Sequence, residues 1–226
     1  MNRLRDNYHT HTRRCHHAEG NVSDYARFAL DSGARILGIS DHVPWPDDHW
    51  LGVRMPFSEL DDYVADIEAA RAAFPGLTIL AGFECEYRVE YKAYLEDELL
   101  GKRGFRYLIS GSHWAPADGH WLNLDQVVSA HALSHYARHL ADAMQSGLFT
   151  FVAHPDLFGI ACDSWTAETI ACSRDILAAA AALHIPLEIN GLGMRKPPRG
   201  NRAPYPWPPF WELAAEYPIT VICNSD

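Results

Sequence analysis

Seven short apolar runs, each followed by side chains able to bind a metal ion, constrain the fold of this chain more than any other feature. The runs lie at residues 7–8, 36–40, 77–83, 107–109, 149–153, 186–187 and 219–223. The polar side chains that follow them are His9 and His11, Asp41 and His42, Glu84, His113, His154, Glu188 and Asn190, and Asp226. Short apolar runs bounded by polar residues predict buried strands. In a barrel of parallel strands all carboxyl ends meet on one face, where such folds keep their active sites.

Between these runs the apolar residues recur at helical spacing. Ser23 is predicted to cap a helix that stops at Gly33, and Ser58 to start another that stops at Pro75-Gly76. Further helices are expected near 125–147, 166–183 and 209–217. The regular alternation of strands and helices predicts the α/β class. The proline-rich segment 197–209 is expected to form a rigid loop over the site face.

Composition limits the architecture and the partners. A chain of 226 residues that is 48% hydrophobic can bury one sizeable core, so residues 1–226 are expected to form a single domain. The sequence has no run of eighteen apolar residues and no apolar signal segment after Met1, which predicts a soluble, cytoplasmic protein without a membrane partner. Five cysteines without close pairing argue against a disulfide framework. A formal net charge of -10 disfavours long nucleic acids as partners.

The strand-end side chains form a set of candidate metal ligands. His9 and His11 lie two residues apart, so on a strand their side chains share one side and can bind one cation together. A His-x-His pair alone is weak evidence, because surface or core histidines produce the same pattern. The remaining candidates strengthen it, and they are His17, His42, Glu84, His113, His154 and Asp226. This number exceeds the three or four protein ligands of one zinc site and predicts two or three divalent metals, of which zinc, iron and manganese all fit imidazole and carboxylate donors.

Several motifs together resemble one known family. They are His9-Thr10-His11, His17 in His-Ala-Glu-Gly, Ser40-Asp41-His42, Gly82-Phe83-Glu84, Gly111-Ser112-His113, Ala153-His154-Pro155 and Asn224-Ser225-Asp226. This set is similar to the polymerase-and-histidinol-phosphatase (PHP) superfamily over essentially the whole chain. Glu188-Ile189-Asn190 and the segment around Arg195 are most similar to its histidinol-phosphate phosphatases. The resemblance implies a distorted (β/α)7 TIM-like barrel with three metals at the carboxyl ends of its strands.

The resemblance also implies which residues hold each metal. His9, His11, Glu84 and Asp226 would bind the first metal, and Glu84 would be shared with a second metal bound by His113 and His154. His17 and His42 would bind the third metal. The family has one more ligand histidine two positions after its last aspartate, followed by a final helix, and both are expected to be missing from residues 1–226.

A mechanism for phosphate ester hydrolysis follows from this set. Two bridged metals lower the pKa of a shared water, and the resulting hydroxide attacks phosphorus. Glu84 and Asp226 are the expected catalytic carboxylates, and Arg195 is the first candidate for binding the phosphate oxygens. Arg199 and Arg202 are alternatives for that role, and a solvated loop position remains an alternative for each of the three arginines. Asn190 is expected either to contact substrate or to cap its strand.

Asp41 leaves two interpretations open. Its carboxylate could orient a ligand histidine, which is the usual support for a metal-bound imidazole. It could equally be a turn residue at a strand end.

The leading functional prediction is a metal-dependent phosphomonoesterase that converts L-histidinol phosphate to L-histidinol in histidine biosynthesis, as the resemblance implies. A phosphodiesterase or exonuclease on short nucleotides is the nearest alternative. Metal-dependent amidohydrolases also begin with His-x-His, but they often bridge their metals with a strand-end lysine that this sequence does not have. A metal-stabilised barrel without turnover is a further alternative. The sequence leaves the oligomeric state open.

Overall fold

The computed structural model describes residues 6–197 and 200–226. Its strands are β1 (Asp6–Asn7), β2 (Ile36–Ile39), β3 (Thr78–Cys85), β4 (Tyr107–Ser110), β5 (Trp114–Ala117), β6 (His120–Asn123), β7 (Phe151–Val152), β8 (Leu187–Asn190) and β9 (Val221–Asn224). Its α-helices are α1 (Val22–Asp31), α2 (Leu60–Ala73), α3 (Ala130–Gln145), α4 (Ala167–Leu183), α5 (Gly191–Arg195) and α6 (Pro208–Ala214).

Seven of the nine strands form one sheet in the order β1-β2-β3-β4-β7-β8-β9, which follows the chain. The pairings β1–β2, β2–β3, β4–β7 and β7–β8 are parallel, and in the second of them Leu37 lies beside Ile79. The two remaining strands, β5 and β6, form an antiparallel hairpin. All seven predicted strands are therefore confirmed, and so is the alternation of strands with helices. In the described part of the chain, no helix combines the length and apolarity needed to cross a membrane.

The chain divides into two compact units. The first unit consists of the described residues up to Cys85 together with Asp97–Leu108 and Asn224–Asp226, and the second consists of Glu86–Glu96 and Ile109–Cys223. In the first unit, helix α2 covers β3 through Tyr63, whose ring stacks 4.9 Å from that of Phe83. Both rings are fully buried, so this contact holds the strand that carries Glu84 in a fixed position.

Two glycines in the first unit make room for one aromatic ring. A Cβ atom on Gly82 would lie 2.6 Å from the ring of Tyr107, and one on Gly38 would lie 2.1 Å from its hydroxyl oxygen. The Tyr107 hydroxyl donates a hydrogen bond of 2.6 Å to the carbonyl oxygen of Tyr8. Because these strand glycines lack side chains, the tyrosine can cross β2 and β3 and fix the segment that leads to His9.

The second unit is built around the packing of α3 on α4, with α6 against α4. Buried Asp156 anchors the start of α6, since its Oδ2 accepts hydrogen bonds from the Trp207 backbone N–H at 2.5 Å and from Trp211 Nε1 at 3.0 Å. Burial raises the pKa of Asp156 to about 6, against the opposing effect of these two donors. The anchor stabilises the chain between β8 and β9.

The predicted helices occur with small shifts at their starts. The cap of α1 is Asn21 rather than Ser23, because Asn21 and Asp24 exchange side-chain to backbone hydrogen bonds in a capping box. A short 3-10 turn, Phe57–Glu59, precedes α2, so Ser58 is not its cap. The β5–β6 hairpin and a π-helical segment at Tyr94–Lys102 were not predicted from the sequence. The Asp118-Gly119 pair is typical of the two-residue turn of a β-hairpin, so the sequence contained an indication of this element.

Candidate metal centre

His9 and His11 present their ring nitrogens to the same point. They follow β1 in an extended segment, both are buried, and their Nε2 atoms lie 3.0 Å apart. Side chains two residues apart on an extended chain point to the same side, which explains the convergence. The pair therefore has the arrangement that the His-x-His motif predicts.

Glu84 lies near the end of β3 and brings a buried carboxylate to these imidazoles. Its Oε2 is 3.4 Å from His9 Nε2, 3.2 Å from His11 Nε2 and 3.3 Å from His42 Nδ1. An isolated bridge between His42 and Glu84 continues the β2–β3 pairing past the end of β2 and sets this register. One carboxylate oxygen is thus surrounded by nitrogens from two different strand ends.

Asp226 completes a group that we call the first donor cluster, made up of His9, His11, Glu84 and Asp226. The Asp226 backbone N–H donates to the His9 carbonyl at 2.9 Å, and Asp226 Oδ1 lies 3.7 Å from His9 Nε2 and 3.2 Å from His11 Nε2. Neighbouring donor atoms of the cluster are therefore 3.0–3.7 Å apart. Ligands of a tetrahedral zinc ion with bonds of about 2.0–2.1 Å lie about 3.3–3.4 Å apart. The first donor cluster fits a divalent metal ion in both chemistry and spacing.

The charges in the cluster favour a cation. Burial opposes ionisation of Asp226, but His9 and His11 outweigh it and hold the pKa of this carboxyl well below its usual range. Burial works to lower the pKa of His11, but Cys15, Asp226 and Glu84 together raise it well above its usual value. The Asp226 carboxylate therefore keeps its negative charge and favours positive charge in the cluster, as a bound metal would provide.

A second group of donors lies beside the first. The ring of His42 is 4.7 Å from that of His11, and the ring of His17 is 5.0 Å from His11 and 5.2 Å from His42. Donor atoms of His11, Cys15, His17 and His42 can all lie within 4.8 Å of one another. His17 is exposed whereas the other three are buried. The structure thus brings together the two histidines predicted for a third metal and adds Cys15, which the sequence analysis did not consider as a site residue.

Cys15 connects the first loop to the strand ends. Its sulfur lies 3.3 Å from His11 Nδ1, accepts the His42 backbone N–H at 3.0 Å, and donates to Asp41 Oδ1 at 2.9 Å. Burial, reinforced by the Asp41 carboxylate, raises the pKa of Cys15 to about 12, which keeps the sulfur protonated as a donor. The sulfur contact at Nδ1 directs the Nε2 atom of His11 toward Glu84.

Asp41 acts on the first loop rather than directly on a histidine. Its Oδ1 accepts the Thr12 backbone N–H at 2.6 Å, and its Oδ2 accepts the Thr12 hydroxyl at 2.8 Å. Together with the Cys15 contact, these bonds hold the segment that follows His11. The two interpretations of Asp41, orienting group and turn residue, therefore combine, because it orients His11 through Cys15.

The second unit contains the other two predicted histidine ligands. The rings of His113 and His154 lie 5.0 Å apart, and His113 Nδ1 is 3.0 Å from the Oε1 atom of buried Glu86. This contact orients the imidazole, with Nδ1 facing the carboxylate. His154 has a positive φ of 30°, a conformation that is uncommon for a residue with a side chain, and its backbone N–H donates to Glu188 at 3.2 Å. Sequence reasoning missed Glu86, although it lies two residues after Glu84.

The predicted substrate-binding residues have different surroundings. Asn190 is buried, caps α5 by accepting the Gly193 backbone N–H at 2.9 Å, and donates to Glu188 at 2.9 Å, so capping is its visible role. Arg195 is exposed at the end of α5. Arg202 pairs with Asp125 at 2.7 Å. Arg199 lies outside the described residues.

Comparisons with known proteins find a matching family and a relative. A family model described as "PHP domain" matches residues 7–191. A relative from Deinococcus radiodurans, named "Probable histidinol-phosphatase", is 30% identical over 232 residues, which cover 96% of this chain and 84% of the relative.

Two solved structures share the fold. A candidate histidinol phosphatase from Listeria monocytogenes matches with a TM-score of 0.78 at 20% identity, covering 98% of this chain and 94% of its own. A histidinol phosphate phosphatase from Lactococcus lactis, solved with zinc, L-histidinol and phosphate, matches with a TM-score of 0.69 at 18% identity, covering 98% and 86%. These likenesses confirm the predicted fold class, the (β/α)7 TIM-like barrel of the PHP type. Given the family match over most of its length and the 30% identical relative, the chain belongs to the PHP domain family.

Proposed function

We propose that this protein is a metal-dependent phosphomonoesterase that hydrolyses L-histidinol phosphate to L-histidinol and phosphate, a reaction of histidine biosynthesis. The observation that carries the proposal is the buried Glu84 carboxylate, which lies 3.2–3.4 Å from nitrogens of His9, His11 and His42. The substrate is proposed from the names of the relative and the structural neighbours. The proposed cofactor is two or three divalent ions of zinc, iron or manganese.

The ligand assignment keeps the residues predicted from sequence. The proposed metal ligands are His9, His11, His17, His42, Glu84, His113, His154 and Asp226. Bound divalent metals supply an activated water near neutral pH and stabilise charge on the phosphate oxygens. Glu84 and Asp226 provide the negative charge that retains the cations, and the sulfur of Cys15 and the carboxylate of Glu86 hold His11 and His113 in their binding orientations.

The positive charge for substrate binding is proposed to come from Arg195. It is exposed in the last turn of α5, whose first residue follows the cap Asn190 at the end of β8. A guanidinium group binds two phosphate oxygens at once through charge-assisted hydrogen bonds. Arg202 is the second candidate, and its guanidinium pairs with Asp125 at 2.7 Å.

Phosphate release by the metal-loaded protein tests the proposal. Kinetics with L-histidinol phosphate, phosphoserine and a short oligonucleotide should give a kcat/KM at least about 100-fold higher for the first substrate, because a site that binds specific polar groups rejects analogues that lack them. Glu84→Gln is the matched inactive control. Preference for the oligonucleotide would instead indicate a phosphodiesterase, and absence of turnover with all metals would indicate a binding protein; either result would contradict the proposal.

A further inference from the structure

Three side chains of types that metal ions bind lie close together on the surface of the second unit. His131 and His135 are one turn apart on α3, and their ring centroids are 4.5 Å from each other. His131 Nε2 lies 3.0 Å and 3.1 Å from the two carboxylate oxygens of Asp118. One ligand atom from each of the three residues can lie within 4.8 Å of the others. Two imidazoles and one carboxylate thus converge at the start of α3.

The fold fixes the relative position of these three residues. Asp118 and Gly119 form the turn of the β5–β6 hairpin, and both have positive φ, at 52° and 80°, as the two-residue turns that suit twisted hairpins require. The hairpin packs on α3 through the core cluster that includes Ala115, Ala132 and Tyr136. The turn is therefore held against the first turns of α3 by buried contacts, independently of the three polar side chains.

We propose that Asp118, His131 and His135 form a peripheral site for a divalent transition-metal ion such as Zn²⁺, Ni²⁺ or Cu²⁺. Histidines at i and i+4 on a helix share one face and can chelate one ion. Two imidazoles with one carboxylate suit these ions better than Mg²⁺ or Ca²⁺, and three protein ligands leave at least one coordination position for water. An exposed His131–Asp118 ion pair alone contributes little to stability and does not require the second imidazole.

An ion at this site would link the hairpin tip to α3. Strand β5 begins at Trp114, directly after the proposed ligand His113, and the chain returns from the hairpin where the Leu124 backbone N–H donates to the His113 carbonyl at 3.2 Å. Fixing the tip of the hairpin would restrain the segment that carries His113. The peripheral ion is therefore a structural element for the second unit, separate from turnover.

Copper binding to the full chain tests the proposal. Protein with its strand-end metals in place is titrated with Cu²⁺, followed by calorimetry and by electron paramagnetic resonance, which reports the number of imidazole nitrogens on copper. We expect one additional equivalent with two coordinated imidazoles. His131→Gln and His135→Gln should each weaken this binding at least 10-fold, and Asp118→Asn should weaken it less.

The controls separate this site from the rest of the molecule. His49 is a half-buried histidine whose Nδ1 lies 3.9 Å from Asp47, so His49→Gln removes another His–Asp neighbour pair and should leave copper binding unchanged. Elemental analysis before and after the titration checks that the strand-end metals stay bound, so that copper at Asp118, His131 and His135 is counted separately from exchange at the strand ends. Side chains of His131 and Asp118 are 61% and 72% exposed, so their replacement does not threaten folding. Uptake of copper by His131→Gln and His135→Gln equal to that of the wild type, or no additional equivalent in the wild type, would overturn the proposal.

Discussion

The sulfur of Cys15 lies 3.3 Å from Nδ1 of His11 and thereby joins the first loop to the first donor cluster. The same sulfur donates to Asp41, so the order of contacts runs from carboxylate to thiol to imidazole. In most metal sites a carboxylate or carbonyl contacts the ligand histidine directly. In this protein the Cys15 thiol lies between the Asp41 carboxylate and the His11 imidazole. Cys15 and Asp41 therefore act together on the orientation of His11.

Replacing Cys15 should weaken metal binding without removing a proposed ligand. Cys15→Ala deprives His11 Nδ1 and Asp41 of their partner, and loss of such a supporting contact costs about 10–100-fold in metal affinity. Cys15→Ser keeps a donor and an acceptor and should lose less. Chelator competition measures both affinities. Cys223→Ser, at an exposed thiol, is the control, and wild-type affinity in Cys15→Ala would show that the sulfur contact does not position His11.

Glu84→Gln should lower both the metal content and the rate of turnover while the protein stays folded. The substitution keeps the shape of the side chain but removes the negative charge that faces His9, His11 and His42 at 3.2–3.4 Å. We expect metal content to fall by at least one ion per chain and kcat/KM to fall at least about 1,000-fold, since retention of the cations depends on this charge. Elemental analysis and phosphate release check the two effects. Full activity in this variant would exclude Glu84 as a ligand.

The two described arginines should respond differently to removal. Arg195→Ala is expected to lower kcat/KM for histidinol phosphate about 100-fold, the usual order for the loss of a charged contact to a phosphate in the transition state. Arg202→Ala should change it less than about 3-fold, because Arg202 already pairs with Asp125 on the surface. Steady-state kinetics on both variants compares them. Equal losses in both would assign phosphate binding to the loop as a whole.

The sequence predicts the strands and their polar ends well because a strand end is a local signal. The position of Glu84 after an apolar run needs no knowledge of the rest of the chain, and the spacing of His9 and His11 already places both on one side. The roles of Cys15 and Glu86 could not be read in the same way. Each depends on a contact between segments far apart in the chain, 26 residues for Cys15 and Asp41 and 27 for Glu86 and His113.

For Asn190 the sequence allows two roles, and the structure distinguishes between them. The sequence places it at a strand end beside the predicted site, and both a substrate contact and a cap fit that position. The structure shows the cap, because Asn190 Oδ1 accepts the Gly193 backbone N–H. Capping depends on the chain turning into α5 immediately after β8, and a five-residue helix has too little periodicity to be predicted.

Gly82→Ala should destabilise the protein through Tyr107. The added Cβ would lie 2.6 Å from two carbon atoms of the buried ring, so the ring or the strand must move. Overpacking of this kind costs about 1–3 kcal/mol in the free energy of unfolding. Urea unfolding measures it, with Gly52→Ala as the control because a Cβ there meets nothing within 4 Å. A loss below about 0.5 kcal/mol would mean that Tyr107 can shift without strain.

His139 should make the protein less stable as the pH falls. It is buried on α3 with its ring 5.5 Å from that of Trp121, and burial lowers its pKa to about 4 although the Glu86 carboxylate opposes the shift. In the unfolded chain the imidazole takes up its proton below about pH 6.5, while the folded protein resists protonation down to about pH 4. Between these pH values the unfolded state therefore binds more protons than the folded state. The free energy of unfolding decreases as the pH is lowered.

The measurement compares the free energy of unfolding of the wild type with that of His139→Leu at each pH. The contributions of other titrating groups, including Asp156, are the same in both proteins and cancel. Between pH 7.5 and pH 5 the wild type should lose about 2 kcal/mol more than the variant, which has no imidazole to protonate at this position. Urea unfolding at each pH gives both values. His120→Gln, at an exposed histidine, should follow the wild type. If His139→Leu loses as much stability as the wild type over this range, His139 is not buried in its neutral form.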